Sequence, residues 1–199
     1  MNARPGLSAT VSPPATVSPS ETVSLWRHVR AIALLPLLNV VAIPAAIVVA
    51  TDSAGGAARV ADLMGALRLS AGAALVAGGL ILVSSAIQLF VRQGHGTLAP
   101  WDPPTAFVLA GPYRRCRHPM KLGLFLILLG HSLIFASLPL LVWFAAFAAV
   151  NAVYIAVSEE PALRRRFGKP YHDYCSHVPR WLPRRTPWTP VGEAAGERA

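Results

Sequence analysis

Four apolar segments, each close to the length of a membrane-spanning helix, constrain the fold of this chain more than any other feature. A helix needs about 20 predominantly apolar residues to cross the hydrocarbon core of a bilayer. The segments run from Ala31 to about Ala50, from Leu69 to Val91, from Leu122 to Leu138 and from Pro139 to Val157. The last two follow one another directly, which predicts a tight helical hairpin. The sequence therefore predicts an all-α polytopic membrane protein with about four transmembrane helices.

The composition also favours a membrane protein. Hydrophobic residues make up 54% of the chain and charged residues 14%, whereas soluble domains carry about 25% charged residues. The net charge of +9 would suggest nucleic-acid binding in a soluble protein, but no recognition module is visible. Lys and Arg collect on the cytoplasmic side of spanning helices instead. We therefore expect the lipid bilayer, and no nucleic acid, as a partner.

The distribution of basic residues predicts the orientation. Every Lys and Arg except Arg59 and Arg68 lies near an end of the chain or in the long central loop, Arg92 to Lys121. Four spans with both termini in the cytosol place these residues on the cytoplasmic face. The sequence thus predicts an integral, multi-pass protein whose polar segments face the cytosol.

Two polar segments flank the predicted hairpin. The first polar segment is GPYRRCRHPMKLG, Gly111 to Gly123, and the second is SEEPALRRRFGKPYHDY, Ser158 to Tyr174. The predicted topology brings both to the same membrane surface, so we expect them to close over one another and form a cytosolic cofactor pocket. The two cysteines, Cys116 and Cys175, are expected to form no disulfide there, because the cytosol is reducing.

The sequence predicts a single domain with a disordered segment at each end. Residues 1–24 are rich in Pro, Ser, Thr and Ala, which predicts a disordered tail. The membrane domain is expected over residues 25–185, with Thr51 to Leu67 as a short loop. A second disordered tail is predicted over residues 186–199.

Two adjacent carboxylates, Glu159 and Glu160, follow the last predicted span. Arg164 to Arg166 come a helical turn later, at a spacing that permits ion pairs. One interpretation is an amphipathic helix that lies on the lipid surface, with its arginines toward lipid phosphate. The other is a carboxylate that binds a cationic ligand group. His118 also has two possible interpretations, as a loop residue without a functional role or as part of a site.

Other polar residues carry weaker signals. The pattern His172-x2-Cys175-x-His177 matches no standard zinc spacing, so no metal is expected. The polar residues inside the apolar segments are expected to form hydrogen bonds between helices; these residues are Gln88, His131 and Asn151.

The polar segments also carry two separated motifs. The first is P-x-x-A-F-V-L-A-G-P-Y-x-x-x-R-H-P-M-x-L-G, and after the hairpin comes E-E-x-x-L-x-x-x-F-G-x-x-Y-x-x-Y-x-x-x-V-P-R. In this order, over residues 94–183, the chain resembles the membrane-embedded methyltransferases of the isoprenylcysteine carboxyl methyltransferase and phospholipid methyltransferase superfamily. The resemblance implies methyl transfer from S-adenosylmethionine to a lipophilic or small membrane-accessible acceptor, which is a lipid amine, a thiol or a carboxylate.

The resemblance also implies site residues. Glu159 would accept the α-ammonium group of the cofactor. Arg117 would pair with the cofactor carboxylate or with the glutamates, and Glu160 or Tyr113 would assist as a base; these three are the candidate catalytic residues. The predicted cofactor contacts are Thr105, Ala106, Phe107, Val108, Tyr113, His118, Pro119, Met120, Lys121 and Glu159.

Two positions depart from the family pattern. The family usually has Tyr where this chain has Lys121, and its carboxyl methyltransferase branch has a substrate-binding Arg where this chain has Ile155. The second departure favours a neutral or cationic acceptor over a carboxylate. Two alternatives remain open, namely a membrane reductase of the sterol-reductase type that uses NADPH and a non-catalytic membrane protein with the same fold. A transporter is disfavoured by the absence of an inverted repeat.

Overall fold

The computed structural model describes residues 37–51, 63–93 and 109–189, and within these ranges the chain is helical and contains no strand. Two π-helical turns, Leu38–Ala42 and Ile155–Glu159, and a short 3-10 helix, Gly111–Arg114, accompany six α-helices in the described ranges. The helices are α1 (Ile43–Ala50), α2 (Leu63–Gln93), α3 (Pro119–Ile134), α4 (Leu138–Tyr154), α5 (Glu160–Phe167) and α6 (Lys169–His177). The all-α prediction is confirmed for this part of the chain.

Two helices are long and apolar enough to cross a membrane. They are Leu63–Leu89, within α2, and Leu138–Phe167, which runs through α4 and α5. Only 11% of the residues in each apolar window are buried inside the protein. The core helix of a soluble protein would be mostly buried. The exposed apolar surfaces of these helices are instead typical of helices surrounded by lipid. The apolar helices Leu38–Ala50 and Pro119–Ile134 are shorter, and their role as spans stays a prediction.

Helices α2 and α3 pack antiparallel through two pairs of glycines. Gly79 lies against Gly123, and Gly72 lies against Gly130. A Cβ atom on Gly79 would stand 2.5 Å from the backbone oxygen of Gly123, and one on Gly130 would stand 2.7 Å from the oxygen of Gly72. The two backbones therefore touch, as small residues allow between membrane helices. The small residues of the second apolar segment serve close packing at these positions.

The predicted hairpin between α3 and α4 is present. Helix α3 ends in a Schellman motif, in which Ser137 N–H donates to Ser132 O at 3.1 Å and Ala136 N–H donates to Leu133 O at 3.2 Å. Ala136 has φ 47°, in the left-handed region that glycine usually fills in this motif. Helix α3 stops at Ile134, four residues before the predicted end, because the turn itself takes up the intervening residues.

Helices α4 and α5 continue one another through the π-helical turn Ile155–Glu159, which ends with Glu160 N–H donating to Ile155 O. Such a turn adds a residue to the helix and often occurs at functional sites. Ile155 is completely buried, and Glu159 and Glu160 come at the end of the turn. Helix α5 then stops at Gly168, whose φ of 57° and ψ of −132° suit glycine alone.

The π-helical turn Leu38–Ala42, which leads into α1, packs against the hairpin. Trp143 Nε1 of α4 donates a hydrogen bond to Asn39 O at 3.1 Å. The buried apolar cluster beside it contains Val40, Leu124, Ile127 and Leu128. This cluster is the core that holds α1, α3 and α4 together.

One boundary prediction was wrong. The predicted loop Thr51 to Leu67 is too long, because α2 begins at Leu63 and the helix continues the apolar face of the span by two turns. Of the predicted tail 186–199, only residues 186–189 are described, and there Trp188 packs on Tyr174 with ring centroids 5.9 Å apart. The predicted tail of residues 1–24 lies outside the described residues.

The expectation of hydrogen bonds between helices was wrong for Asn151. Asn151 Nδ2 donates to Phe147 O of its own helix at 2.9 Å. A carbonyl one turn back is always within reach of a short polar side chain, so no second helix is needed. The buried Nδ1 atom of His131 has no hydrogen-bond partner within the described residues.

Candidate functional site

The two polar segments lie against each other, as predicted, and a third stretch joins them. Residues 178–188, which we call the C-terminal strap, run along the first polar segment and bond to its backbone at three places. The bonds are Arg117 N–H to Pro179 O at 3.0 Å, Arg184 N–H to Arg115 O at 2.9 Å and Trp188 N–H to Arg114 O at 2.9 Å.

Glu160 is the centre of the charged network between these segments. Its side chain is only 2% exposed, and Arg117 Nη1 donates to Oε1 at 2.9 Å. Arg180 of the strap donates twice, from Nε to Oε1 at 2.9 Å and from Nη2 to Oε2 at 2.6 Å. Arg164 lies farther away, with Nη2 3.9 Å from Oε2, in the predicted i,i+4 pair. Two guanidinium groups thus neutralise a carboxylate that would otherwise be costly to bury.

Glu159 has a different environment from its neighbour. Its side chain is 31% exposed, and Lys121 Nζ at 24% exposure donates a hydrogen bond to Oε2. His118 lies between the two carboxylates, with Nδ1 3.4 Å from Glu159 Oε1 and Nε2 3.5 Å from Glu160 Oε1. The Nε2 contact is within ion-pair distance but has no hydrogen-bond geometry, so this buried nitrogen lacks a hydrogen-bond partner in the described part.

His118 owes its place to the proline that follows it. Pro119 occupies the first position of α3, where its missing N–H is not needed. His118 takes φ −125° and ψ 59°, outside the helical region, as Pro119 predicts. His118 O accepts a hydrogen bond from Leu122 N–H at 2.9 Å as the helix begins.

Buried phenol and thiol groups line the contact between the segments. Tyr174 Oη donates to Tyr113 O at 2.8 Å, and Cys116 Sγ donates to Arg180 O at 3.3 Å. Burial raises the pKa of the phenols of Tyr113 and Tyr174 and of the Cys116 thiol. These groups are therefore uncharged at neutral pH. Both cysteines are free thiols.

The structure brings together most of the residues that the sequence suggested. Arg117, His118, Lys121, Glu159 and Glu160 form one connected cluster. Pro119 and Met120 lie in the first turn of α3 beside it. The predicted contacts Thr105, Ala106, Phe107 and Val108 lie outside the described residues.

Sequence reasoning missed the contribution of the strap. Arg180 received no role, although it ends the V-P-R pattern and gives Glu160 two hydrogen bonds. Trp181 was also overlooked, and its ring lies 5.8 Å from that of His118 and 5.3 Å from that of Phe125. An arginine and a tryptophan that follow a proline beyond the last helix were the only signal.

The two carboxylates can do different chemistry. Glu160 is buried and saturated by guanidinium groups, which makes it a structural anchor. Glu159 is reachable from outside, and among the described residues it pairs with the partly exposed Lys121 and lies beside His118. A ligand that carries an ammonium group can therefore reach Glu159 by displacing or sharing that lysine, which it cannot do at Glu160.

Comparison with known proteins gives one match. The model of a family described as phospholipid methyltransferase matches residues 67–170. This range is 104 of the 199 residues and contains most of α2, the first polar segment, the hairpin and both glutamates. The strap lies beyond it. No curated protein and no solved structure matches the chain.

Proposed function

We propose, from the premise that the chain belongs to the phospholipid methyltransferase family, that it transfers a methyl group from S-adenosylmethionine to an acceptor presented by the membrane. Family membership implies a methyltransferase. The observation that carries the cofactor assignment is the reachable carboxylate of Glu159, held beside Lys121 and His118. When bound, S-adenosylmethionine supplies a methyl group activated by a sulfonium.

The described residues fit the amino-acid end of this cofactor. Glu159 suits the α-ammonium group because a charge-assisted hydrogen bond to a carboxylate is stronger than one between neutral groups. His118 lies next to that carboxylate, with Nδ1 3.4 Å from Glu159 Oε1, while its buried Nε2, which has no hydrogen-bond partner among the described residues, faces Glu160. The predicted contacts to adenine and ribose, residues 105–108, remain a proposal. Tyr113, Pro119 and Met120 remain proposed cofactor contacts.

Glu160 and Arg117 act, in this proposal, as positioning residues. Their ion pair joins the first polar segment to α5, and Arg180 adds the strap. The role of base that the sequence suggested for Glu160 and Tyr113 stays a prediction, and two observations oppose it. Glu160 is already neutralised by two arginines, and the raised pKa keeps the Tyr113 phenol protonated at neutral pH.

The acceptor is best described as neutral or cationic, and we propose the amine of a membrane lipid. Ile155 stands where a substrate-binding arginine would hold a carboxylate, and it is completely buried in apolar packing. A carboxylate acceptor would have no partner there. An amine acceptor reacts in its neutral form and releases its proton to water at the membrane surface. The protein aligns donor and acceptor and excludes water between them.

The proposed site faces the cytosol in a multi-pass protein. The positive-inside rule places the exposed basic residues of α5 and the strap, the segments that contribute Glu160 and Arg180, on the cytoplasmic face. These residues are Arg164, Arg165, Arg166 and Arg185. Cytosolic S-adenosylmethionine then enters from water, while a lipid acceptor enters sideways from the bilayer.

Calorimetry on the detergent-purified full chain tests the cofactor. We expect S-adenosylhomocysteine to bind the wild type. Glu159→Ala and His118→Ala should each lower its affinity about tenfold or more, the effect of one lost charged hydrogen bond. Asp173→Ala and His172→Ala are the matched controls, since both side chains are exposed and lie outside the cluster. NADPH serves as the ligand of the alternative function.

The outcomes separate the candidate functions. Binding of S-adenosylhomocysteine that is lost in both site variants and kept in both controls supports a methyltransferase. Binding of NADPH alone would favour the reductase function instead. If neither ligand binds, the proposed function is wrong. Radiolabelled methyl transfer to vesicles with and without a primary-amine lipid then tests the acceptor.

A further inference from the structure

The ion pair of Lys121 with Glu159 is accessible from solvent, unlike the buried carboxylate of Glu160 with its arginine partners. Both side chains are partly exposed, at 24% and 31%, whereas Glu160 is 2% exposed. Lys121 Nζ also lies 5.1 Å from the centroid of the Tyr154 ring. The ring gives the ammonium group favourable contact that does not depend on Glu159. Lys121 is thus a partly exposed cation beside a reachable anion.

The charges of this pair are complementary to those of an α-amino acid group. An α-amino acid group carries an ammonium and a carboxylate two bonds apart, and the protein offers a carboxylate and an ammonium in contact. Insertion of the ligand replaces one ion pair by two, and the net charge of the site does not change. A ligand with the ammonium alone would instead set two cations side by side at Glu159, which is unfavourable.

We propose that Lys121 binds the α-carboxylate of the cofactor while Glu159 binds its α-ammonium, so that Lys121 selects ligands with an intact amino-acid group. This inference rests on the proposed function and assigns a role to the position where the chain departs from its family. Tyrosine, the usual residue there, is neutral and would not require the carboxylate. In this chain the lysine makes the carboxylate necessary for binding.

Three ligands test the proposal by calorimetry on the full chain in detergent. S-adenosylhomocysteine carries both groups, its decarboxylated analogue keeps only the ammonium, and 5′-methylthioadenosine has neither. The variants are Lys121→Gln, Lys121→Arg and the control Lys169→Gln, which removes an exposed lysine outside the cluster. Tyr154→Leu removes the aromatic face and leaves the ion pair.

The expected result is a change in preference rather than a general loss. Lys121→Gln should lower the affinity for S-adenosylhomocysteine about 10- to 100-fold, the effect of a lost charged hydrogen bond. The same variant should bind the decarboxylated analogue as well as the wild type does or more tightly, because the repelling cation is gone. Lys121→Arg should keep most of the preference, and 5′-methylthioadenosine should not respond to any variant.

Two results would overturn the proposal in distinguishable ways. If Lys121→Gln changes the affinity of S-adenosylhomocysteine and of its decarboxylated analogue by the same factor, Lys121 does not bind the carboxylate, and the methyltransferase site stands without it. If the wild type binds none of the three ligands, the inference fails together with the proposed function.

Discussion

Glu160 and Arg180 are joined by two hydrogen bonds, from Nε to Oε1 at 2.9 Å and from Nη2 to Oε2 at 2.6 Å. Twenty positions separate them along the chain, and Glu160 is part of the apolar helix while Arg180 is part of the strap. Because Arg117 shares the same carboxylate, one buried anion connects three segments. The loss of that anion should loosen all three.

The first prediction is that Glu160→Gln destabilises the protein by about 3 kcal/mol, because it leaves the guanidinium of Arg117 buried without a counter-charge. For a chain of this size that is roughly 6–12 °C in the unfolding temperature, measured by intrinsic fluorescence in detergent. Glu159→Gln is the matched control, and its partly exposed ion pair should cost about 1 kcal/mol or less. Equal losses in the two variants would contradict the anchor role of Glu160.

The second prediction concerns the glycine contact of α2 with α3. Gly79→Ala should destabilise the protein by about 1–3 kcal/mol, because its Cβ would stand 2.5 Å from the backbone oxygen of Gly123. Gly78→Ala is the control, because nothing lies within 4 Å of a Cβ at Gly78. Thermal unfolding of both variants should show a loss only for Gly79→Ala. A similar loss in both would place the helix contact elsewhere.

The third prediction is a stabilising change in the hairpin. Ala136 holds φ 47°, which costs an L-residue about 1–2 kcal/mol, while glycine costs about 0.5–1 kcal/mol more in the unfolded chain. Ala136→Gly should therefore raise the stability by about 0.5–1 kcal/mol. Ala145→Gly, inside α4, should lower it, since glycine disfavours a regular helix. The unfolding temperatures of the two variants must move in opposite directions.

The fourth prediction is a pH dependence carried by Tyr174. Burial raises the pKa of its phenol in the folded protein, so the folded state keeps the proton when the unfolded state has lost it. The resulting stability is present below the ordinary phenol pKa of about 10 and is lost as the pH rises beyond it. Tyr174→Phe should cost about 1 kcal/mol at pH 7, because it removes the hydrogen bond to Tyr113 O. The variant should lose less stability than the wild type between pH 9 and pH 11, and parallel curves would contradict this.

The sequence predicted the parts of this structure that depend on local pattern. Apolar runs indicated the helices, Ser137 and the residues around it indicated the hairpin, and Pro119 fixed the conformation of His118. The closure of the two polar segments followed from topology, because one hairpin returns the chain to the same surface. Each of these signals lies within about one helix length of the feature it predicts.

The rest depends on partners far apart in the chain. Nothing in the neighbourhood of Arg180 shows that it faces Glu160, and nothing near Lys121 shows that it pairs with Glu159 rather than with water. The start of α2 at Leu63 was missed because Gly65 and the polar residues before it resemble a loop. Asn151 was misjudged because a polar side chain in a span can bond to its own helix, and composition does not distinguish the two cases.

The continuity of the helix from Leu138 to Phe167 has a consequence for the setting of the site in the bilayer. Glu159 follows Leu138 by 21 residues, or about 32 Å along the axis, and a hydrocarbon core is about 30 Å thick. In the proposed orientation, with the hairpin at one membrane surface, Glu159 therefore lies at the other. In a thicker bilayer the carboxylate sinks toward the acyl chains, and in a thinner one it rises into water, so acyl-chain length becomes a determinant of how easily a charged ligand reaches it.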